Sequence, residues 1–302
     1  MQPLTPVYEQ PLLQLLRQAA SDPQLANLER DQLLVTMIDE LRTMPPGSIG
    51  RAVLNYLSGY QAQALVPHEE NPLVPVPVHN IQAATAGLEN AWRRQESAYA
   101  GAVLLAQDPA ALVQAYRLHD DLPVRRGLIM ALNGASDGQL EMISFLALNE
   151  LHQAPEMAAL AGEAALRLGD TRALEQLLRT GNGSAVTSVL RQAPQRLTAD
   201  QLDRLLDTAI AEARPDIAAL AIAEFSPALE GRTGSDDRLF DLLEHEQLGA
   251  TAALALAANP SDDAVLRLAA MAQMPSQSAL AASRARLALE LMQMGPGEAL
   301  RP

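Results

Sequence analysis

Helix starts recur along this chain at a nearly fixed interval, and that interval leaves few folds open. Capped starts fall near residues 123, 155, 184, 215, 248 and 276, a spacing of 28 to 33 residues. Such a period marks a stack of similar supersecondary units, each too small to bury its own apolar face. The clearest unit is 155–181, PEMAALAGEAALRLGDTRALEQLLRTG. Pro155 suits a first helical position. Met157, Leu160, Ala161, Ala164, Ala165 and Leu168 then follow at steps of 3, 1, 3, 1, 3, the stripe of one buried helix face. Gly169 can take the left-handed conformation that ends a helix, and Asp170 can cap the next. Leu174, Leu177 and Leu178 stripe that second helix, and Gly181 ends it. Neither helix is long enough to stand alone in water.

The other units repeat the plan. Pro123 opens one helix, and Ser136 with Gln139 makes a capping-box pattern for the next. Thr198 with Gln201 repeats that box, Pro215 opens DIAALAIAEF, and Ser235-Asp236 and Ser261-Asp262 open two more helices. A last helix spans about 276–294, ends in Met292, Met294, Gly295 and Pro296, and reads as a cap for the final layer. Asp108-Pro109 opens a helix ahead of the series. The expected fold class is all-α.

The segment Ala158–Gly169 (AALAGEAALRLG), with Asp170 and the following ALEQLL, resembles the HEAT-repeat superfamily, and most closely the short bacterial HEAT-like repeats of the phycobilin-lyase type. The resemblance covers roughly 95–295. It implies a right-handed α-solenoid of about six to seven antiparallel helix pairs. Proteins of this architecture mostly build surfaces on which partners dock.

Ahead of the array, three helices carry apolar stripes after Pro11, after Asp22-Pro23, and from Ile49 to Tyr60, while residues 1–10 read as loose. The stretch 64–80, ALVPHEENPLVPVPVHN, carries prolines at 67, 72, 75 and 77, which forbid a helix and favour extended or polyproline geometry. Leu73, Val74, Val76 and Val78 are too apolar for a solvated linker, so the expectation is a strap lying in a groove between helices. The other reading is a docking segment, since Pro72 and Pro75 have the minimal proline-ligand spacing. Asn80 caps the helix that follows. All five tyrosines and the single tryptophan lie at or before Tyr116. That shift sets the expected organisation: an N-terminal helical region over 1–94 that includes the strap, then the array over 95–302, as one continuous body.

Composition narrows the function. The chain has 302 residues, 48% of them apolar, and a net charge of −14. Its 22 basic residues are all arginine, and they are interspersed with acids. A solenoid that binds nucleic acid needs a strongly basic face, so nucleic acid and anionic membrane surfaces are disfavoured. There is no cysteine, which excludes disulfides, thiolate metal sites and a cysteine nucleophile. No run approaches the length of a transmembrane helix. Residues 1–20 lack a basic n-region followed by an apolar core, although the opening MQPLTPVYEQP also reads as a mature terminus left after a leader. Cytoplasm and periplasm both stay open.

Candidate chemistry is sparse. His119-Asp120-Asp121 closes a helix without the further His and Asp of a phosphohydrolase. His68-Glu69 and His245-Glu246 are His-Glu pairs. The HEAT-like deoxyhypusine hydroxylase family holds two irons with such pairs in equivalent repeats, but here one pair sits in the proline-rich stretch and the other at a helix end. Gly181–Ser184 lacks the strand and lysine of a phosphate loop, and GRTGSDD (231–237) reads as a polar loop. No catalytic residue, cofactor or metal ligand is therefore assigned. Two readings follow. The first is a non-catalytic scaffold or adaptor that binds a protein or peptide on its concave face. The 26 acids against 16 arginines after residue 100 would suit a basic partner, with Glu141, Glu175, Asp203, Asp207 and Asp241 as the partner-binding candidates. The second is a HEAT-like cofactor-handling protein or enzyme of the bilin-lyase or iron-hydroxylase kind, which predicts a bound metal or pigment and His68 and His245 brought close together.

Overall fold

The computed structural model describes residues 9–47, 50–181, 183–232, 234–258, 260–273 and 278–294. The expectations for the first eight residues, for Ile49, for Asn182 and Thr233 in their loops, for the start of the last helix at 276, and for Gly295 and Pro296 lie outside them. Among the described residues the chain is all-helical apart from one small hairpin, with sixteen α-helices. It divides into two compact units, one ending at Gly134 and the other beginning at Ala135.

The first unit contains α1 (Glu9–Ser21), α2 (Asn27–Leu41), α3 (Gly50–Ser58), β1 (Leu65–Pro67), β2 (Pro75–Pro77), α4 (Ile81–Gln107), α5 (Pro109–Leu118) and α6 (Leu122–Met130). Its core gathers Leu16, Leu34, Ile38, Val53, Leu57, Ile81, Leu88 and Trp92. The long helix α4 is the spine, packing against α2, α3, α5 and α6. Asn80 caps it by accepting from Ala83 N–H at 2.9 Å, and Asp108 both ends it and caps α5. Helix α6 approaches α4 backbone to backbone: a Cβ on Gly127 would overlap the carbonyl oxygen of Arg94.

The boundary expected near residue 95 falls in the middle of α4, which runs unbroken from Ile81 to Gln107. The packing divides the chain 40 residues later. Local signals mark helix ends, but a boundary is set by which apolar faces cover each other. Helix α6 covers α4, whereas the next helix, α7 (Asp137–Glu150), covers α8 and α9 of the second unit. The helices at 122–130 and 137–150 therefore do not make one repeat.

The second unit continues with α8 (Met157–Leu168), α9 (Thr171–Thr180), α10 (Gly183–Arg196), α11 (Ala199–Glu212), α12 (Pro215–Phe225), α13 (Ser235–Leu242), α14 (Gly249–Ala258), α15 (Asp262–Gln273) and α16 (Ala279–Met294). Helix α8 begins two residues after Pro155, which lies in the turn ahead of it. Gly169 closes α8 at φ 63°, and Asp170 caps α9 by accepting from Ala173 N–H at 3.1 Å. The Thr198–Gln201 box is reciprocal, with Thr198 N–H donating to Gln201 at 2.8 Å. Ser261 caps α15 through Ala264 N–H at 3.0 Å. Helices that occupy equivalent places in the sequence spacing touch in order: α8 with α10, α10 with α12, α12 with α14, and α14 with α16. Alanine permits that closeness, as Ala158, Ala161, Ala164, Ala218, Ala221, Ala252 and Ala253 are all buried.

Candidate functional site

The five acidic candidates have unlike surroundings. Asp203 and Asp207 lie one turn apart on α11, and the guanidinium of Arg238 on α13 bridges them at 2.9 Å each. Glu175 faces Arg179 on its own helix at 3.6 Å, and Arg179 also pairs with Glu212 of α11. Glu141 and Asp241 are exposed and make no ion pair among the described residues. The fold thus brings Asp203 and Asp207 onto one cation, holds Glu175 only loosely to Arg179, and leaves Glu141 and Asp241 unpaired among the described residues.

These pairs belong to a wider pattern. Arg196 reaches from α10 to Glu163 of α8 at 2.9 Å, and Arg191 from α10 to Glu224 of α12 at 3.5 Å. Arg267 of α15 pairs with Asp237 of α13 at 2.5 Å and lies 4.0 Å from the centre of the Phe240 ring. Arg232 pairs with Asp200. Gln201 donates to the carbonyl of Gly169 at 2.8 Å. Each link joins residues 30 to 35 apart, about one helix-start interval of 28 to 33. A planar, permanently charged fork suits such two-carboxylate contacts better than an ammonium does. Glu163 is buried and receives both Arg167, at 2.7 Å, and Arg196.

The two His-Glu pairs turn out alike for a structural reason. His68 Nδ1 accepts from Glu70 N–H at 3.2 Å, and His245 Nδ1 accepts from Gln247 N–H at 3.3 Å and Leu248 N–H at 3.2 Å. In each, the ring closes a local turn two residues on, so the shared pattern is turn chemistry. The residues lie in different compact units. Among the described residues no group of three or more His, Cys, Asp or Glu could hold a metal ion. His119 is exposed, while Asp120 and Asp121 pair with Arg125 at 3.4 Å and Arg93 at 2.6 Å.

The proline-rich stretch is not a strap in a groove. It folds back as an antiparallel hairpin in which Leu65 faces Pro77, Val66 faces Val76 and Pro67 faces Pro75. Asn71 C=O accepts from Val74 N–H at 3.0 Å to close the turn, so Pro72 lies inside a turn, Pro75 opens β2, and the two do not form a polyproline ligand. Most of the hairpin is exposed, with Leu73 at 91% and Leu65 at 52%.

Its base is held by a residue that sequence reading missed. Asp31, in mid-α2, is wholly buried. It accepts three hydrogen bonds of 2.8 Å, from Tyr60 Oη, Gln63 N–H and Ala64 N–H. Arg30 adds bonds to Gln63 and to the carbonyl oxygens of Asp22 and Leu25. Burial, with the Asp31 hydrogen bond and charge behind it, raises the Tyr60 phenol above its ordinary value. An aspartate within a helix reads as a surface residue. The one available signal was the stripe it shares with Leu34, Ile38 and Leu41.

A cleft of about 570 Å³ opens between α3 and α4, lined by Arg51, Asn55, Thr85, Glu89, Trp92 and Glu96 among others. Trp92 Nε1–H is already committed to the carbonyls of Leu41 and Met44, at 3.1 and 3.0 Å. Among the described residues no helix is long and apolar enough to cross a membrane. Comparison with known proteins found no matching family, no matching curated protein and no matching solved structure.

Proposed function

We propose that the second unit is a right-handed, HEAT-like α-solenoid that acts as a non-catalytic scaffold for a protein or peptide partner. The observation that supports this reading is the ladder of links at 30 to 35 residues, from Glu163–Arg196 through Arg238–Asp203 to Arg267–Asp237. Side chains tie α8 to α10, α9 to α11, α10 to α12, α11 to α13 and α13 to α15. What remains is a stiff surface, and a preorganised surface binds with less loss of conformational freedom. The solenoid consists of four helix pairs, α8–α9 to α14–α15, flanked by α7 and α16.

Glu141, Glu175 and Asp241 are the acids with capacity left for a basic partner. Asp203 and Asp207 serve the ladder first. Beside Glu141, α7 also exposes Met142 and Phe145, the latter to 62%, so charge and apolar contact are available together. The test is affinity capture with the purified chain from an extract of its organism of origin, with elemental analysis of the same sample. A stoichiometric protein partner, retained less than a tenth as well by the Glu141→Ala, Glu175→Ala, Asp241→Ala triple variant, supports the reading. Stoichiometric iron or zinc, a coloured ligand, or capture unaffected by the triple variant refutes it.

A further inference from the structure

We propose that the hairpin of residues 64–78 is a plug that inserts into an apolar groove, rimmed by arginine or lysine, on a different protein.

The first observation is that both faces are mainly apolar. Val66, Val74, Val76 and Val78 share the pleat on one side, with His68 opposite Val74 as its polar member, while Leu65 and prolines 67, 75 and 77 occupy the other. A hairpin that only covers a core needs one apolar face and leaves the other polar. Leu73 stands at the tip, and Val66, Val74 and Val78 are each about half exposed.

The second observation concerns the backbone. The ladder bonds include His68 N–H to Val74 and Val78 N–H to Ala64, so with two-residue alternation positions 65, 67, 75 and 77 turn their backbone outward. Three of these four are proline. Of the outward-facing strand positions, only Leu65 carries an N–H. Burying the hairpin therefore strands one strand donor, where an ordinary two-stranded ribbon would strand several, and the four outward carbonyls are left as acceptors for arginine or lysine of the groove. The same prolines prevent a further strand from pairing at the β2 edge, which points to docking through side chains.

The third is the base. Asp31 and Arg30 pin residues 60–64 to α2, so the hairpin is presented in one orientation.

Charge and area choose the occupant. Glu69 and Glu70 sit exposed at the tip, in a chain of net charge −14. A second copy would bring like charges together. Two hairpins stacked face to face would also bury on the order of 400 Å² each, about half of what a stable partner contributes. A groove that takes both faces at once, with cations at its rim for the two glutamates, answers both problems. Anionic lipid is disfavoured by the same glutamates.

The test places a photoreactive benzoylphenylalanine at Leu65, Val66 or Leu73 of the full chain, expressed in its organism of origin, with exposed Glu40 as the control position. One protein adduct of a single mass is expected from all three hairpin positions and not from Glu40. Its cross-linked peptides should map to apolar residues bordered by arginine or lysine. The Glu69→Arg, Glu70→Arg double variant should lower its yield at least tenfold. Both substitutions are exposed, and an unchanged circular dichroism melt confirms the fold. An adduct from one face only, of twice the chain's mass, or with lipid overturns the proposal. So does the absence of any adduct, or a yield indifferent to charge reversal. Cross-linking unchanged by the Glu141, Glu175, Asp241 triple variant separates this interface from that of the scaffold surface.

Discussion

Removing the Asp31 carboxylate should unfasten the hairpin and destabilise the first unit. In Asp31→Ala, three donors lose their acceptor together. The Ala64 N–H is buried, and a buried donor left unpaired costs about 2 kcal/mol. Tyr60 and Gln63 lie where water can reach them, so each loses about 1 kcal/mol. The expected total is about 4 kcal/mol, a large fraction of the 5–15 kcal/mol that holds a typical domain folded. Asp31→Asn should behave differently. Its oxygen can serve both backbone N–H groups while its NH₂ donates to a Tyr60 hydroxyl turned to accept, so about 1 kcal/mol is expected. Trp92 is the only tryptophan and is buried in the same unit, so its fluorescence in a urea titration reports this unit. Hydrogen exchange on a peptide covering 60–80 should show protection at Ala64 lost in Asp31→Ala and largely kept in Asp31→Asn. If alanine and asparagine cost the same, or if alanine costs less than about 1 kcal/mol, Asp31 is not the hairpin's anchor.

Other outcomes follow from the same structure. Glu163→Gln leaves Arg167 and Arg196 without their shared anion and should lower stability by about 2 kcal/mol, seen as a lower melting temperature by circular dichroism. Alanine for a helical glycine normally stabilises by up to about 1 kcal/mol, but Gly127→Ala should destabilise by 2 kcal/mol or more, because its Cβ meets backbone, whereas Gly138→Ala meets nothing within 4 Å and should not. Equal effects at Gly127 and Gly138 would contradict the close approach of α6 to α4. In an alkaline titration the Tyr60 and Tyr56 phenols should both ionise late, since burial raises both. The folded state then holds the Tyr60 proton to higher pH than the unfolded chain does. This contribution to stability is full below the ordinary phenol value of about 10 and is lost as pH rises through the folded value. Phenolate absorbance rising in a single step for all five tyrosines would count against the Asp31–Tyr60 bond.

The sequence by itself determined the helices and many of their caps, although α2 begins at Asn27 and not at the expected Asp22-Pro23, which lies in the turn ahead of it. Asn80, Asp108, Asp170, Thr198 and Ser261 cap where their side chains and the following residues require it, and Gly169 takes its positive φ, because each signal acts within about four residues. The spacing of those signals also foreshadowed which helices touch. Only the tertiary structure decided how far the first unit extends, because α6 and α7 look like one repeat until their apolar faces choose different neighbours. It alone turned the prolines of 64–80 into a hairpin, since the partners of each strand lie across a turn and the extended preference of proline does not say what it pairs with. It alone committed Asp203 and Asp207 to Arg238, and buried Asp31 beneath Tyr60, Gln63 and Ala64. A lone carboxylate in a helix carries no mark of its fate. Whether it faces water, an arginine or three buried donors is set by residues some thirty positions away, which only the folded chain brings within bonding distance.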